Sequence, residues 1–404
     1  MSHALRPAQD LRQLRKLAAV RGLVNSELRA RHWVTLSGAD PSAVTHDDYL
    51  DASRGTHRDS GVVDVDVARS LWGLMPGAGD EERAGRREAL ARLLTAVVVH
   101  HGGDGLHDVA SVLLLVAGER AAFAILCRLT TGALRDATRP TLDPVLELLG
   151  LMEPVMQAAD PELAELARDL SLPPYYALSW FITWFSHDVA GLDVAARLFD
   201  LFLALHPLMP LYVGAAAMAS QRAALLAAGR GEGGMPELHS ALTNLDITRA
   251  LGVDDLACRQ QQQQLQQLGH QGASGGAAIE LYRRLSPEQI VARRTLRLEM
   301  SVAPRAFKDR DSGVWRVPEP SRATVFRAFG GSSGGGGGGS GSGKTPQWNL
   351  QLQQALGKLL PGGARQAPPA VMLLHLGLYT VMAAGLWVVM RLQHEGGPSA
   401  LPWG

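Results

Sequence analysis

In the stretch that opens Asp160-Pro161-Glu162, Leu163, Leu166, Ala167 and Leu170 recur at intervals of three and four residues. That is the period of a helix with one buried face, and an aspartate ahead of a proline supplies its start. The same period, and not the alternation of a strand, runs from the N-terminus to about residue 228. Arg12 to Val24 places Leu14, Leu17, Ala18 and Val20 on one side. The apolar stretches Ser111–Ala117 and Ala121–Leu126 are joined through Gly118-Glu119-Arg120. The apolar run from Ala195 to Ala219 is broken by Arg197, Asp200, His206, Pro207 and Pro210, which disqualifies it as a membrane span and marks buried helices. A chain patterned this way has to pack helix on helix, so the expected fold class is all-α.

Size and charge narrow the function classes. A chain of 404 residues can bury a substantial core in one large domain or two smaller ones. Its 39 basic residues balance 39 acidic ones, which gives nucleic acid no bulk electrostatic hold. Cys127 and Cys258 are the two cysteines and form no C-x-x-C spacing, so neither a disulfide framework nor a zinc ribbon is expected. The first 20 residues read as a helical lead-in without the apolar core or cleavage site of a signal peptide.

Beyond residue 228 the texture changes. Gly229–Gly234 reads as a flexible loop, and Gln260–Gln264 with Gln266 and Gln267 as a low-complexity insertion, either extended helix or disordered. Helical pattern returns over Ala277–Arg294, with Ser286-Pro287-Glu288 as a helix start. These features make 229–302 a helical extension, followed by a Gly/Ser/Pro-rich linker over 303–368 that is expected to be disordered. Ala370–Met390, within a segment placed at 369–391, carries no formal charge apart from a proton that His375 can take. As a helix it would rise about 31 Å, the hydrocarbon thickness of a bilayer. It is read as a transmembrane tail anchor, with the bulk of the chain in the cytosol.

The linker contains GGSGSGKT at Gly338–Thr345, a letter-for-letter match to the phosphate loop G-x-x-x-x-G-K-[ST]. A working phosphate loop needs a strand before it, a helix starting at its Lys-Thr and an acid elsewhere for magnesium. Here a glycine run separates the match from the short apolar stretch Ala323–Phe329, and no aspartate follows Asp311. Glycine- and serine-rich runs produce the pattern by chance, so no intrinsic nucleotide site is expected.

Two clusters in the helical region combine charge with local constraint. In Val63-Asp-Val-Asp-Val-Ala-Arg69, Asp66 and Arg69 fall three apart on a helical face with Val63. The acid can pre-aim the guanidinium, or the two can form a solvated ion pair of a few tenths of a kcal/mol. In His100-His-Gly-Gly-Asp-Gly-Leu-His-Asp108, three glycines form a turn and His107-Asp108 sits at a helix start. Its three histidines lack any regular ligand spacing, so no metal is assigned.

Together with Arg21-Gly-Leu-Val-Asn-Ser-Glu-Leu-Arg-Ala-Arg-His-Trp33, these clusters resemble the TBC domain, the Rab GTPase-activating fold. The first stretch is similar to that family's R-G-[IL]-P-x-x-[LV]-R-x-x-x-W opening, Val63–Arg69 to I-x-x-D-x-x-R, and His101–Asp108 to Y-x-Q-G-x-x-D. Leu134–Asp143, Ala177–Phe185 and Arg197–Pro210 resemble a subgroup tethered to the endoplasmic reticulum by a C-terminal hydrophobic tail. The resemblance runs from about Arg21 to Leu226, inside a domain placed at 21–228.

The resemblance implies a partner and a mechanism. The partner is a GTP-bound Rab-family GTPase of the early secretory pathway, which brings its own GTP and Mg2+, so the chain needs no cofactor. Arg69 takes the place of the arginine finger, with Asp66 orienting it and His107 and Asp108 as further orienting or partner-binding residues. Such a finger contributes roughly 10³–10⁵ in rate, or about 4–7 kcal/mol. The family's water-positioning glutamine falls at Asp104, and the tyrosine before it at Gly102. A carboxylate about 4 Å from a phosphate charge costs on the order of 4 kcal/mol at an effective dielectric of 20, which sets an impaired, Rab-binding adaptor against an active GTPase activator. The family's proline is replaced by Val24. The expected location is the endoplasmic reticulum or another early secretory membrane.

Overall fold

The computed structural model describes residues 7–318, apart from 41, 43–44, 58–59, 102–105, 140–141, 249–275, 294–299 and 311. Helices α1 (Pro7–Val20), α2 (Ser26–Ser37), α3 (His46–Ser53) and α4 (Ser60–Arg69) lead into the long α5 (Asp80–His101) and α6 (His107–Thr130). Then come α7 (Asp143–Leu149), α8 (Met152–Ala159), α9 (Pro161–Asp169), α10 (Leu178–Ile182), α11 (Leu192–Ala204), α12 (Met209–Ser220), α13 (Arg222–Arg230) and α14 (Gly234–Thr243). Two more helices, α15 (Ala277–Arg284) and α16 (Pro287–Ala292), precede a hairpin of two-residue strands, β1 (Phe307–Lys308) and β2 (Trp315–Arg316). The all-α expectation describes the architecture, with the small hairpin added.

Local chemistry starts many of these helices. Asp160 caps α9 by accepting the amides of Glu162 and Leu163, both at 3.1 Å, as its place before proline predicts. Ser286 starts α16 as expected, and Gln289 returns a bond to it in a reciprocal capping box. Each such cap contributes about 1 kcal/mol, which sets boundaries, while packing supplies the bulk of the stability. α5 lies against α3, α4 and α6, and α2 bridges α6 and α11.

α6 is the one helix among the described residues long and apolar enough to cross a bilayer, judged by length and composition. It is instead a core helix, with Val109, Ala110, Val112 and Leu113 buried. Gly118 interrupts it at φ 77°, ψ 168°, a region open essentially to glycine alone. The expected joint at Gly118-Glu119-Arg120 is thus a kink within one apolar element.

Three expectations need correction. Leu17 does not share the apolar side of α1; it is 50% exposed, while Arg15, Ala18 and Ala19 are buried. Arg15 turns inward because its guanidinium donates to the carbonyls of Leu203, Ala204 and Leu36, which lie at the ends of α11 and α2 where no helical amide can serve them. The Gly229–Gly234 loop is a short turn that packs α13 on α14. The linker does not begin at 303, because Ser301, Val302, Ala303 and Val314 are buried. Asp136 holds this segment by accepting from the Ser301 hydroxyl at 2.7 Å and from the amides of Val302 and Ala303 at 2.9 and 3.0 Å. Composition hid this, since the anchoring carboxylate lies 165 residues earlier in the chain.

The Gln-rich stretch, the phosphate-loop match Gly338–Thr345 and the apolar segment Ala370–Met390 lie outside the described residues. Leu238, Leu242, Ile279, Leu281 and Ile290 belong to the same hydrophobic cluster as α5, α6, α11 and α12, so residues beyond 228 complete the helical core.

Candidate functional site

α4 carries the site because its two faces differ. Val63 and Asp66 point into the protein and are buried, whereas Val65 is exposed. Arg69, the last residue of the helix, reaches back so that its Nη2 donates to Asp66 Oδ1 at 2.5 Å. Its side chain keeps 40% of its surface, against 9% for Asp66. The pair is only half in water: the acid is sunk in the domain and the guanidinium stands at its edge.

α6 closes the inner side of this pair. His107, its first residue, places Nδ1 3.1 Å from Asp66 Oδ2, an approach off the hydrogen-bonding direction, and Nε2 3.4 Å from Asp108 Oδ2. The Ser111 hydroxyl donates to the His107 carbonyl at 2.7 Å, fixing the start of the helix. The structure thus brings Arg69, Asp66, His107 and Asp108 into one chain of polar contacts. Burial disfavours the Asp66 anion, but His107 and then Arg69 outweigh it and hold the carboxyl below its ordinary range. A charged Asp66 is what aiming a guanidinium requires.

Asp104 lies outside the described residues, as does the rest of the 102–105 turn. His100 is exposed and lays its ring edge-on against the buried Phe123 at 5.8 Å. Among the described residues, no group of three or more His, Cys, Asp or Glu side chains is arranged to hold a metal.

One residue at this site escaped the sequence reading. Asp188 is half-buried as a residue, accepts the Ser179 hydroxyl at 2.8 Å on Oδ1 and leaves a solvent-shielded Oδ2 without a partner. Burial pushes its carboxyl up to about 6, His187 and the Ser179 hydroxyl oppose that, and nearby Asp108 adds to it. The residues after Phe185 look like an ordinary polar loop in sequence, and nothing local signals the proximity to Asp108.

The other stretches that carried the resemblance are structural. Asp200 is fully buried and accepts from the Leu23 amide at 2.8 Å, the Arg29 Nε at 3.1 Å and the Trp33 indole at 2.7 Å. Arg197 donates to the carbonyls of Ala18 and Ala19, at the end of α1. Gly22 passes over this cluster at φ +71°, where an added Cβ would come within 2.6 Å of Arg197 Cδ. Trp180, Phe181, Trp184 and Phe185 fill the core beside Phe199 and Phe202. Val24, where a proline was expected, is 75% exposed and precedes the Asn25 cap of α2, so the exchange alters no buried contact.

With this geometry, residues 26–226 match the family model of the Rab-GTPase-TBC domain. This part of the chain belongs to the Rab-GTPase-TBC family. It is 36% identical to TBC1 domain family member 20 of Mus musculus over 214 residues, covering 51% of this chain and 52% of that one. The Homo sapiens protein of the same name is 33% identical over the same coverage. The GTPase-activating protein gyp10 of Schizosaccharomyces pombe is 33% identical over 230 residues, covering 55% of this chain and 61% of that one. The TBC-domain chain spans about half the length of the TBC1 relatives it matches.

Proposed function

We propose that this TBC-domain protein accelerates GTP hydrolysis by a Rab-family GTPase of the early secretory pathway, with Arg69 as the residue inserted into the partner's site. The observation that carries the reading is the pairing of an exposed guanidinium with a buried, braced carboxylate. Arg69 is free to reach a phosphate, while Asp66, backed by His107, limits the directions from which it does so. Pre-set orientation of this kind stabilises charge developing on a transferred phosphoryl group without reorganisation during the reaction. GTP and Mg2+ belong to the partner in this scheme. The activity named for the fission yeast relative supports the same reading.

A second reading, an adaptor that binds the GTPase without efficient activation, draws on Asp104. Single-turnover GTP hydrolysis across a Rab panel, with wild type beside Asp104→Gln, separates the two. An active wild-type protein supports the first reading. If Asp104 faces the phosphates, the amide should raise the rate about 10-fold for each ~1.4 kcal/mol of repulsion relieved. An unchanged rate places that carboxylate away from the reaction. A wild type that stimulates no GTPase, beside an active Asp104→Gln, establishes the adaptor.

The same proposal holds the protein at the endoplasmic reticulum or a neighbouring membrane through Ala370–Met390, with the TBC domain in the cytosol. Support comes from the uncharged length of that segment and from likeness to the member 20 proteins. Full-length protein is expected to stay in the membrane pellet through carbonate extraction, and a chain ending at residue 368 to wash off. A full-length chain released by carbonate refutes the anchor.

A further inference from the structure

The turn that follows Arg69 displays a large aromatic side chain instead of burying it. Trp72 is 51% exposed, whereas Ser70, Leu71 and Leu74 around it are buried. Leu71 adopts φ 74°, a left-handed conformation that a branched side chain enters only when the surroundings demand it. That twist sends Leu71 inward and leaves its neighbour outward.

The turn is also tied down on all sides. The Ser70 hydroxyl donates to the Asp66 carbonyl at 2.6 Å, the Gly191 amide to the Gly73 carbonyl at 3.0 Å, and the Met75 amide to the Leu71 carbonyl at 2.9 Å. Trp72 itself rests on two cations of α5, with the Arg83 and Arg87 guanidinium carbons 4.2 and 4.7 Å from its ring centroid. Arg83 is fixed in turn, donating to the carbonyls of Met75 and Ala78 and to Asp80. An indole held this firmly loses little freedom when a partner covers it, and that is the property of an interface anchor.

Its position names the partner. Three residues of chain span at most about 11 Å, so Trp72 lies within that distance of Arg69 at the backbone. A stable interface covers about 800 Å² on each protein, a disc of roughly 16 Å radius. A footprint centred on Arg69 therefore takes in this turn. Val65, 63% exposed and four residues before Arg69 on α4, adds an exposed apolar side chain on the helical ridge that carries Arg69.

We propose that Trp72 is a recognition residue that docks on an apolar surface of the same GTP-loaded GTPase that receives Arg69. The inference rests on the proposed GTPase-activating or GTPase-binding role, and its test separates the two. Trp72 contributes to association and Arg69 to the chemical step, so the two residues act on different kinetic constants.

The experiment uses full-length protein in detergent and a panel of Rab GTPases, measuring single-turnover hydrolysis of GTP and binding of each GTPase loaded with a non-hydrolysable GTP analogue. Trp72→Ala is expected to raise Kd and KM for the preferred GTPase by about 10- to 30-fold, the loss typical of an anchoring tryptophan, with kcat within about twofold of wild type. Arg69→Ala is expected to do the reverse, keeping binding and losing kcat. Trp72→Phe, which retains an aromatic face for the two arginines, should restore much of the affinity. If Trp72→Ala lowers kcat and leaves KM and Kd unchanged, the indole only supports the finger and the proposal fails. Unchanged binding and kinetics also overturn it. If wild type binds a GTPase without stimulating hydrolysis, the Kd series still decides the role of Trp72. If wild type binds none, the role in GTPase recognition falls and this inference with it.

Discussion

Arg69→Ala is expected to abolish stimulation of GTP hydrolysis, a loss of about 10³-fold or more at saturating GTPase. The guanidinium sits at the end of α4 with 40% of its side-chain surface open, so removing it opens no cavity in the core. The variant also leaves Asp66 with His107 alone, and a half-exposed pair of this kind contributes no more than about 1 kcal/mol to stability. The unfolding midpoint should therefore stay close to wild type while activity disappears. Arg69→Lys should recover little, because a point charge lacks the planar fork that spans two phosphate oxygens. Asp66→Asn keeps the shape and removes the charge that aims the finger, so it should lower kcat by less than Arg69→Ala does. Full stimulation by Arg69→Ala would refute the assignment of the finger.

The largest effect on stability is expected from Asp200→Ala. This carboxylate meets the Leu23 amide, the Arg29 guanidinium and the Trp33 indole in a fully buried site. Burial pushes its carboxyl up, while Arg29, Trp33 and Leu23 pull it back toward the charged form. Alanine would strand the Arg29 cation, itself only 6% exposed, and leave two further buried donors unpaired. Breaking one partner of a buried pair costs about 3–5 kcal/mol. For a domain of this size that lowers the thermal midpoint by roughly 10 °C. Arg29 and Asp200 lie 171 residues apart, so the loss should unfold the two ends of the domain together, seen as one cooperative transition at lower temperature. A shift below about 2 °C would show that water reaches this cluster and that its carboxylate does not hold α2 to α11.

How much of this was legible in the residues depends on the range of the interaction involved. The helix start at Asp160, the Ser286 cap, the kink at Gly118 and the pairing of Asp66 with Arg69 are decided within four residues of sequence, and each is present in the structure. The resemblance likewise located the stretches that matter, but not their division of labour. Arg21–Trp33 and Arg197–Pro210 look like separate motifs along the chain, and folding makes them one buried cluster around Asp200. Leu134–Asp143 looks like a family signature, and its Asp136 proves to be the socket for residues 301–303.

Burial was the quantity that spacing could not supply. Asp66 three residues from Arg69 is the same sequence pattern whether the pair is solvated or functional. Folding brings His107 of α6, 41 residues later, against the acid, which is buried while the guanidinium stays open. Asp188 joins the site, Trp72 is displayed and Arg15 turns inward for the same reason. The amino-acid sequence determined the helices, their caps and the charges available to the site. The tertiary structure decided which of those charges lose their water, because only packing of distant segments can bury one partner of an ion pair and leave the other in solvent.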